Sequence, residues 1–334
     1  MSRPDIFSPG DVEQWKSYYD LHGYCILRNI FPTDTLSNAK AACNGLVDEL
    51  AQRLVENNIV SNTYPEAPFE ERLALVCQNC PTELPNLFRS ELHSSPAFYN
   101  LLCHEQLINA VRELMLPEVD GLRIFPNYSC RPKTSSPLHS VTWHQDSGLR
   151  ADGGPSTASV EERTDAFGLG RVVNCWAPLV EATAENGAMK FIRGSQNRGI
   201  LEHVFLGSYN GSTASGERLP DSVDGSQVSK GAQHVPAGTY MTGVRQDLIE
   251  EDIKSDNCID VECSPGDVVL FSNILVHRGG VNTTDKIRWS FDWRFQDSSK
   301  STFRAENGHI ISSLTGKTDD MCNSGEEWVK RSLM

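Results

Sequence analysis

The stretch His277-Arg-Gly-Gly-Val-Asn-Thr-Thr-Asp-Lys-Ile-Arg-Trp-Ser-Phe-Asp-Trp-Arg-Phe-Gln296 decides the architecture of this chain. From Ile287 to Phe295 it alternates strictly, with Ile287, Trp289, Phe291, Trp293 and Phe295 on one face and Arg288, Ser290, Asp292 and Arg294 on the other. Successive side chains of a strand point to opposite faces, so this period of two predicts a β-strand. Five large apolar side chains in one row need a core to pack on. The polar row behind them is either solvated or lines a pocket. Upstream, Gly279 and Gly280 break the preceding strand, and Asn282 to Asp285 supply turn chemistry.

His277 has partners far upstream, in Val141-Thr-Trp-His-Gln-Asp-Ser-Gly148. Residues i and i+2 of a strand share a face, so His144 and Asp146 are expected to grip one ion from one side, with Gln145 turned away. In a β-barrel or double sheet, strands remote in sequence lie side by side, and His277 is expected to close the site from the opposite wall. Two imidazoles and one carboxylate are the ligands of a non-haem iron(II) centre with positions open for substrate and oxygen. Zinc accepts the same donors. His-x-Asp alone is a weak signal, because the two residue types fall two apart by chance in many chains. Arg288 strengthens it, being expected on the strand that runs beside His277, where its fork can hold a carboxylate bidentately. Three classes therefore compete: an oxygenase, a metal-dependent hydrolase or isomerase on a cupin-like barrel, and a non-catalytic binding protein with the same fold. Arg288 favours the first, since hydrolysis gives no reason for a carboxylate clamp beside the metal.

The composition narrows the setting. With 334 residues and 39% hydrophobic content the chain can bury a large core. The net charge of −14 argues against nucleic acid or an anionic membrane as partner, since either calls for a basic surface. A small-molecule substrate and a monomer or homodimer are expected instead. No apolar run reaches the ~18 residues of a membrane span. Met1 to Phe7 lacks the apolar core of a signal peptide, so a soluble cytoplasmic protein is expected. The 10 cysteines show no disulfide framework and are expected reduced and mostly buried. Cys77 and Cys80 form a lone Cys-x-x-Cys, too little for a structural zinc site without partners from elsewhere.

Periodicity predicts helices over Val12 to Leu21, after Pro32 with Leu36, Ala39, Leu46, Leu50 and Leu54 on repeating positions, and over Phe69 to Val76, Pro96 to Leu102 and Glu105 to Leu114. Short strands separated by Gly, Pro and Asn turns follow from Arg123. One domain over residues 1–334 is expected: a helical part to about 118, a β core over about 119–298 with insertions 149–170 and 202–261, and a tail 299–334. Both insertions are polar, and 149–170 follows the metal motif directly, as a lid over the site does. His139, His203, His234 and His309 have no partner at ligand spacing and are expected to be surface or satisfied histidines.

Four stretches resemble the phytanoyl-CoA dioxygenase type of iron(II)- and 2-oxoglutarate-dependent dioxygenases. They are Tyr18 to Phe31, Trp143 to Asp146, Asn174 to Gln196, and Ser264-Pro-Gly-Asp267 onward through Arg288; together they span roughly residues 10–296. The resemblance implies an α+β chain with a mainly β core, a double-stranded β-helix of jelly-roll, cupin-like form, with the N-terminal helices packed outside. It implies that His144, Asp146 and His277 bind iron(II) and that Arg288 grips the distal carboxylate of 2-oxoglutarate. Trp176, on a strand expected over Arg171 to Ala177 with Val172 and Asn174 on the same face, matches a tryptophan of the cofactor pocket. Asn127 and Thr142 are further candidates for that pocket, and Arg294, Arg123 and Arg131 are candidates for holding an acidic substrate.

Two positions depart from the pattern. Thr142 stands where many relatives carry glutamine, and Gly279 where they carry serine. The implied activity consumes O2 and 2-oxoglutarate, releases succinate and CO2, and hydroxylates, desaturates or rearranges a small or medium-sized organic molecule. The hard redox step belongs to iron and cosubstrate, and the protein supplies positioning and water exclusion. Halogenating relatives need a small residue where Asp146 stands, so halogenation is not expected. Relatives act on acyl-CoA thioesters, amino acids and secondary metabolites. A tailoring enzyme of secondary metabolism is the preferred expectation, and an acyl-CoA hydroxylase of lipid metabolism the alternative. The C-terminal Arg331 to Met334 is not a peroxisomal address of the Ser-Lys-Leu type.

Overall fold

A computed structural model describes residues 3–78, 88–135, 141–146, 149–150, 160–208, 240–304, 307–316 and 321–331. Cys80, His139, His234, the residues after Arg331, and 151–159 and 209–239 of the two insertions lie outside the described residues.

Strand β1 (Ile6–Phe7), helix α1 (Val12–His22) and strand β2 (Tyr24–Leu27) open the chain. Gly23 stops α1 in the left-handed region, with φ 83°, its N–H donating to the Tyr19 carbonyl. A Cβ there would lie 2.4 Å from Gln196 Oε1, so both backbone and packing require glycine. Helix α2 (Thr33–Glu56) buries Ala39, Cys43, Leu46, Val47, Leu50, Ala51 and Leu54, the i, i+3, i+4 stripe of a helix with one face on a core. Helices α3 (Phe69–Val76), α4 (Pro96–Leu102) and α5 (Glu105–Leu114) occupy the spans that periodicity predicts. Ser95 caps α4 by accepting from the Ala97 N–H, and proline opens the helix.

The strands that follow are β3 (Gly121–Ile124), β4 (Ser129–Lys133), β5 (Leu149–Arg150), β6 (Val172–Pro178), β7 (Met189–Ile192), β8 (Glu202–Ser208), β9 (Tyr240–Val244), β10 (Cys258–Val261), β11 (Val268–Ser272), β12 (His277–Gly279), β13 (Arg288–Asp297) and β14 (His309–Ser313). Helices α6 (Val160–Phe167) and α7 (Glu250–Ile253) lie in the two polar stretches, and α8 (Gly325–Arg331) follows β14. The larger sheet runs β1-β2-β11-β6-β13-β3-β14, with β4 also paired to β13. A smaller sheet, β10-β7-β12, packs against its inner face, and β5-β8-β9 form a third. This is a jelly roll of the double-stranded β-helix type with helices outside.

Strand β13 is the hinge between layers. Trp289, Phe291, Trp293 and Phe295 are fully buried on its outer face, against the helices: Phe69 stacks on Trp289 at 5.1 Å and Phe98 meets Phe291 at 5.7 Å. Burying each such side chain contributes about 1.5–3 kcal/mol. Between the sheets a second cluster joins Tyr24, Ile26, Trp176, Phe191, Phe271 and Leu275.

Two local expectations differ. First, β13 does not run beside β12; it belongs to the larger sheet and β12 to the smaller. The Asn282 amide donates to the carbonyls of Lys133 and Lys286, fastening the connecting turn to β4 and carrying the chain across to the other sheet. Second, His144 and Asp146 do not share a regular strand. His144 makes an isolated antiparallel bridge with His277, and Asp146 follows in a turn. The intervening Gln145 is drawn out of any ladder, for its Nε2 donates to the carbonyls of Gly199 and Ile274 and its Oε1 accepts from the Leu201 N–H. The segment after 298 adds β14 to β3, and α8 buries Trp328, whose Nε1 donates to the Leu92 carbonyl. The nine described cysteines are free, and no described helix is long and apolar enough to cross a membrane.

Candidate functional site

The two histidines are brought together by the backbone itself. The His144 N–H donates to the His277 carbonyl and the His277 N–H to the His144 carbonyl, both at 2.9 Å, so the rings stand side by side with centroids 4.2 Å apart. They share one wall, not two opposed walls. Each ring is locked by a carbonyl two residues upstream: His144 Nδ1 at 2.8 Å from Thr142 O, and His277 Nδ1 at 2.9 Å from Leu275 O. The Nδ1 proton donated to each carbonyl fixes the tautomer and leaves both Nε2 lone pairs for an ion. Those Nε2 atoms lie 3.6 Å and 4.0 Å from the Asp146 oxygens. Among the described residues, this is the one group of His, Cys, Asp or Glu side chains able to hold an ion, with ligand atoms within 4.8 Å of one another.

The electrostatics suit a cation. Burial, helped by the His144 ring, pushes His277 down to about 3, so it is a neutral ligand at physiological pH. Burial alone would push the Asp146 carboxyl up, but the Arg294 guanidinium outweighs it and holds the group well below the usual carboxylate range. Arg294 Nη2 is 2.6 Å from Asp146 Oδ1 and its Nε donates to Oδ2 at 3.1 Å, while Asn174 Nδ2 donates to the same Oδ2 at 2.7 Å. Outer partners of this kind aim a ligand and tune its donor strength. Arg294→Gln and Asn174→Ala are each expected to weaken iron(II) binding about 10–100-fold, measured by anaerobic titration of the purified protein.

A second group faces the triad from the larger sheet. Arg288 is buried, with its guanidinium 5.1 Å above the Trp176 ring and Nη1 donating to Ser290 Oγ. Its Nε is buried without a hydrogen-bond partner. Directly across the strand pair stands Lys133, also buried, whose Nζ lies 3.7 Å from where a Cβ on Gly279 would sit. Glycine at 279 thus keeps open the space between Lys133 and the His277 strand. Burial, with Arg288, Arg278 and Arg131 nearby, pushes Lys133 down to about 7. Two buried cations side by side, one with an unsatisfied donor, are a costly arrangement unless an anion joins them.

The other sequence candidates take different places. Arg131 pairs with Asp292 on the same inner face, and Ser129 donates to that carboxylate at 2.9 Å. Arg294, a candidate for an acidic substrate, is engaged by Asp146 and by the Asn127 carbonyl at 2.7 Å. Asn127 and Thr142 therefore meet the site through their main-chain oxygens. Arg123 sits one pleat further along and donates to the Ser298 carbonyl. Lys133, Asn174 and Gln145 are absent from the sequence candidates. Asn174 shares the strand face of Trp176, a signal that was available; Lys133 depends on a pairing with Arg288 that no local pattern encodes. His203 is a satisfied histidine: its Nδ1 meets Leu201 O and its Nε2 accepts from the Gln145 N–H, tying β8 to the metal loop.

A jelly roll whose inner wall presents two imidazoles and a carboxylate is the architecture of non-haem iron oxygenases. The family model for phytanoyl-CoA dioxygenase matches residues 19–290, and the chain belongs to that family. It is 26% identical over 141 residues to phytanoyl-CoA dioxygenase domain-containing protein 1 of Danio rerio; the match covers 42% of this chain and only 38% of that protein. Among solved structures it resembles EctD from S. alaskensis in its apoform, with TM-score 0.52 and 18% identity over 92% of this chain and 85% of that one. EctD with 2-oxoglutarate and 5-hydroxyectoine matches with TM-score 0.50 and 16% identity, over 85% of this chain and 75% of that one. At these identities the likeness is one of fold.

Proposed function

We propose that this protein is an iron(II)- and 2-oxoglutarate-dependent oxygenase that oxidises a C–H bond of a small or medium-sized organic molecule, in the tailoring of a secondary metabolite. The observation that carries the proposal is the buried Arg288, resting on Trp176 beside Lys133 with an unpartnered Nε, in a chamber whose facing wall is the His144, Asp146 and His277 triad. A hydrolase on the same barrel has no use for that pair of cations. The solved EctD that holds 2-oxoglutarate and 5-hydroxyectoine supports a keto acid together with a small organic molecule on this fold.

The donor set fits iron(II): two imidazoles turned to offer Nε2 and one ionised carboxylate. When bound, iron, 2-oxoglutarate and O2 supply the oxidative decarboxylation that yields succinate and CO2 and oxidises the substrate C–H bond. The chain's own residues bind and orient. His144, Asp146 and His277 hold the metal, Arg294 and Asn174 aim Asp146, and Arg288 with Lys133 takes the distal carboxylate. Phe191 and Phe271 pack on the His277 ring, at 6.1 Å and 4.9 Å, and keep water off that side.

Lys133 makes cosubstrate binding depend on pH. Only its ammonium form attracts the keto acid, and in the free protein that form is lost as pH rises through about 7. Above that point binding must take up a proton, so affinity is expected to fall by up to about tenfold per pH unit until the pKa of the bound state is reached. The fold responds oppositely. A lysine pKa lowered by folding leaves the unfolded chain holding more protons, so stability rises between about 7 and the ordinary lysine range. Calorimetric 2-oxoglutarate titrations across this window should show proton uptake, and Lys133→Met should flatten the profile. A flat profile in the unaltered protein would take Lys133 out of the pocket.

The class is tested by anaerobic titration with iron(II) and 2-oxoglutarate, followed by admission of O2 in the presence of candidate metabolites. Formation of the iron–keto acid absorbance band and O2-dependent succinate are expected; their absence would overturn the proposal.

A further inference from the structure

Along the inner face of β13, Arg288 marks one end of the chamber and Arg294 the metal; Gln296 lies one pleat beyond, on the side away from the cosubstrate clamp. There two amides fasten other segments against this end of the sheet. Gln296 Nε2 donates to the carbonyls of Ala166 and Ser301, at 3.3 Å and 3.0 Å, and Asn273 Nδ2 donates to the Phe167 carbonyl at 2.7 Å. The end of α6 and the turn after β13 are thereby held against the strand end that carries Arg294.

What they bring is a row of three rings. Phe125, whose N–H donates to the Arg294 carbonyl at 2.9 Å, meets Phe167 edge-on at 5.9 Å, and Phe167 meets Phe303 edge-on at 5.7 Å. Phe303 holds φ 50°, a conformation an aromatic residue adopts only where its surroundings impose it. The Ser301 hydroxyl accepts from the Phe303 N–H at 3.1 Å in the same turn. Arg163, one turn before Phe167 on the same side of α6, lies with its guanidinium 5.9 Å from the centre of the Phe303 ring. It is half-buried and has no carboxylate partner among the described residues, whereas Arg294 is matched by Asp146 and Arg131 by Asp292. A ring face offers such a cation only part of what water gave it. An anion would give more.

We infer that Phe125, Phe167 and Phe303, with Arg163 above them, form the primary-substrate wall, and that the substrate is an apolar molecule carrying an anionic group. The inference rests on the oxygenase reading, because it takes the open side of the metal as the side where a C–H bond is presented. The three rings take the apolar body, and Arg163 pairs with the anion outside the metal chamber.

The test uses a probe pair of one skeleton, 2-naphthoate and its neutral methyl ester, titrated by calorimetry into the protein loaded anaerobically with iron(II) and 2-oxoglutarate. Naphthoate is expected to bind about tenfold or more tighter than the ester, the scale of one charge-assisted hydrogen bond. Arg163→Gln should erase the difference and leave the ester's affinity alone, while Phe303→Gly, which suits the positive φ, should weaken both probes about tenfold. Both variants should retain the iron–keto acid absorbance band, which reads the metal and the Arg288 clamp. Equal affinity for the two probes, or a preference that survives Arg163→Gln, overturns the inference. If the band does not form in the unaltered protein, the oxygenase reading itself fails and the wall loses its assignment with it.

Discussion

Asp146→Ala is expected to abolish iron-dependent succinate release and to destabilise the metal-free fold, whereas His144→Ala should abolish the release and leave the fold nearly unchanged. The contrast follows from what each side chain leaves behind. His144 is the most exposed of the three ligands, with 22% of its side-chain surface accessible, and its ring makes one hydrogen bond, to its own loop. Asp146 is the counter-ion of Arg294, and both side chains are close to nine-tenths buried. Its removal strands a guanidinium that keeps only the Asn127 carbonyl, and breaking a buried pair from one side costs about 3–5 kcal/mol. Denaturant unfolding of the metal-free variants separates the two, and anaerobic titration reads the iron. The double variant Asp146→Ala, Arg294→Met should recover most of the lost stability and none of the iron binding. Succinate release in either single variant would remove the site assignment, and equal stability of the two would mean that Arg294 does not depend on Asp146.

The sequence carried the elements more faithfully than it carried the connections between them. The α1 to α5 spans and the β13 alternation are local patterns, set by which residues must turn inward at periods of 3.6 and two, and the structure has them where the residues predict. The larger sheet, by contrast, pairs β13 with β3, β4 and β6, three segments remote from it in the chain. A register between remote segments leaves no trace in either segment alone. This is why Arg288 was expected beside His277 and instead faces it from the other sheet. The same limit hides Lys133, an unremarkable lysine at the end of a short strand until β13 lays Arg288 against it. Arg294 shows a subtler limit. Its place on the pocket face was legible from alternation, but its partner was not, because Asp146 reaches it from a turn that Gln145 holds open by hydrogen bonds from its own side chain.

Arg288→Met is expected to weaken 2-oxoglutarate binding about 100- to 1,000-fold, with little change in iron(II) affinity when no keto acid is present. Without a ligand, Arg288 is a cation that is 3% exposed, with a serine hydroxyl and a tryptophan face for company and an unsatisfied Nε. Replacing it by an apolar side chain of similar length relieves that burial. The apo protein should therefore be as stable as the unaltered one or more so, while the added stability that 2-oxoglutarate confers on the unaltered protein should vanish. Those opposed signs identify a binding cation and exclude a merely structural one, whose loss would destabilise with or without the keto acid. Arg288→Lys keeps the charge but loses the fork and most of the contact with Trp176, so an intermediate loss of about 10- to 100-fold is expected. Thermal melts with and without 2-oxoglutarate, beside direct titrations, give all three comparisons. If Arg288→Met left the keto acid's affinity intact and changed only that of the oxidised substrate, the clamp would have to be sought elsewhere on the chamber wall.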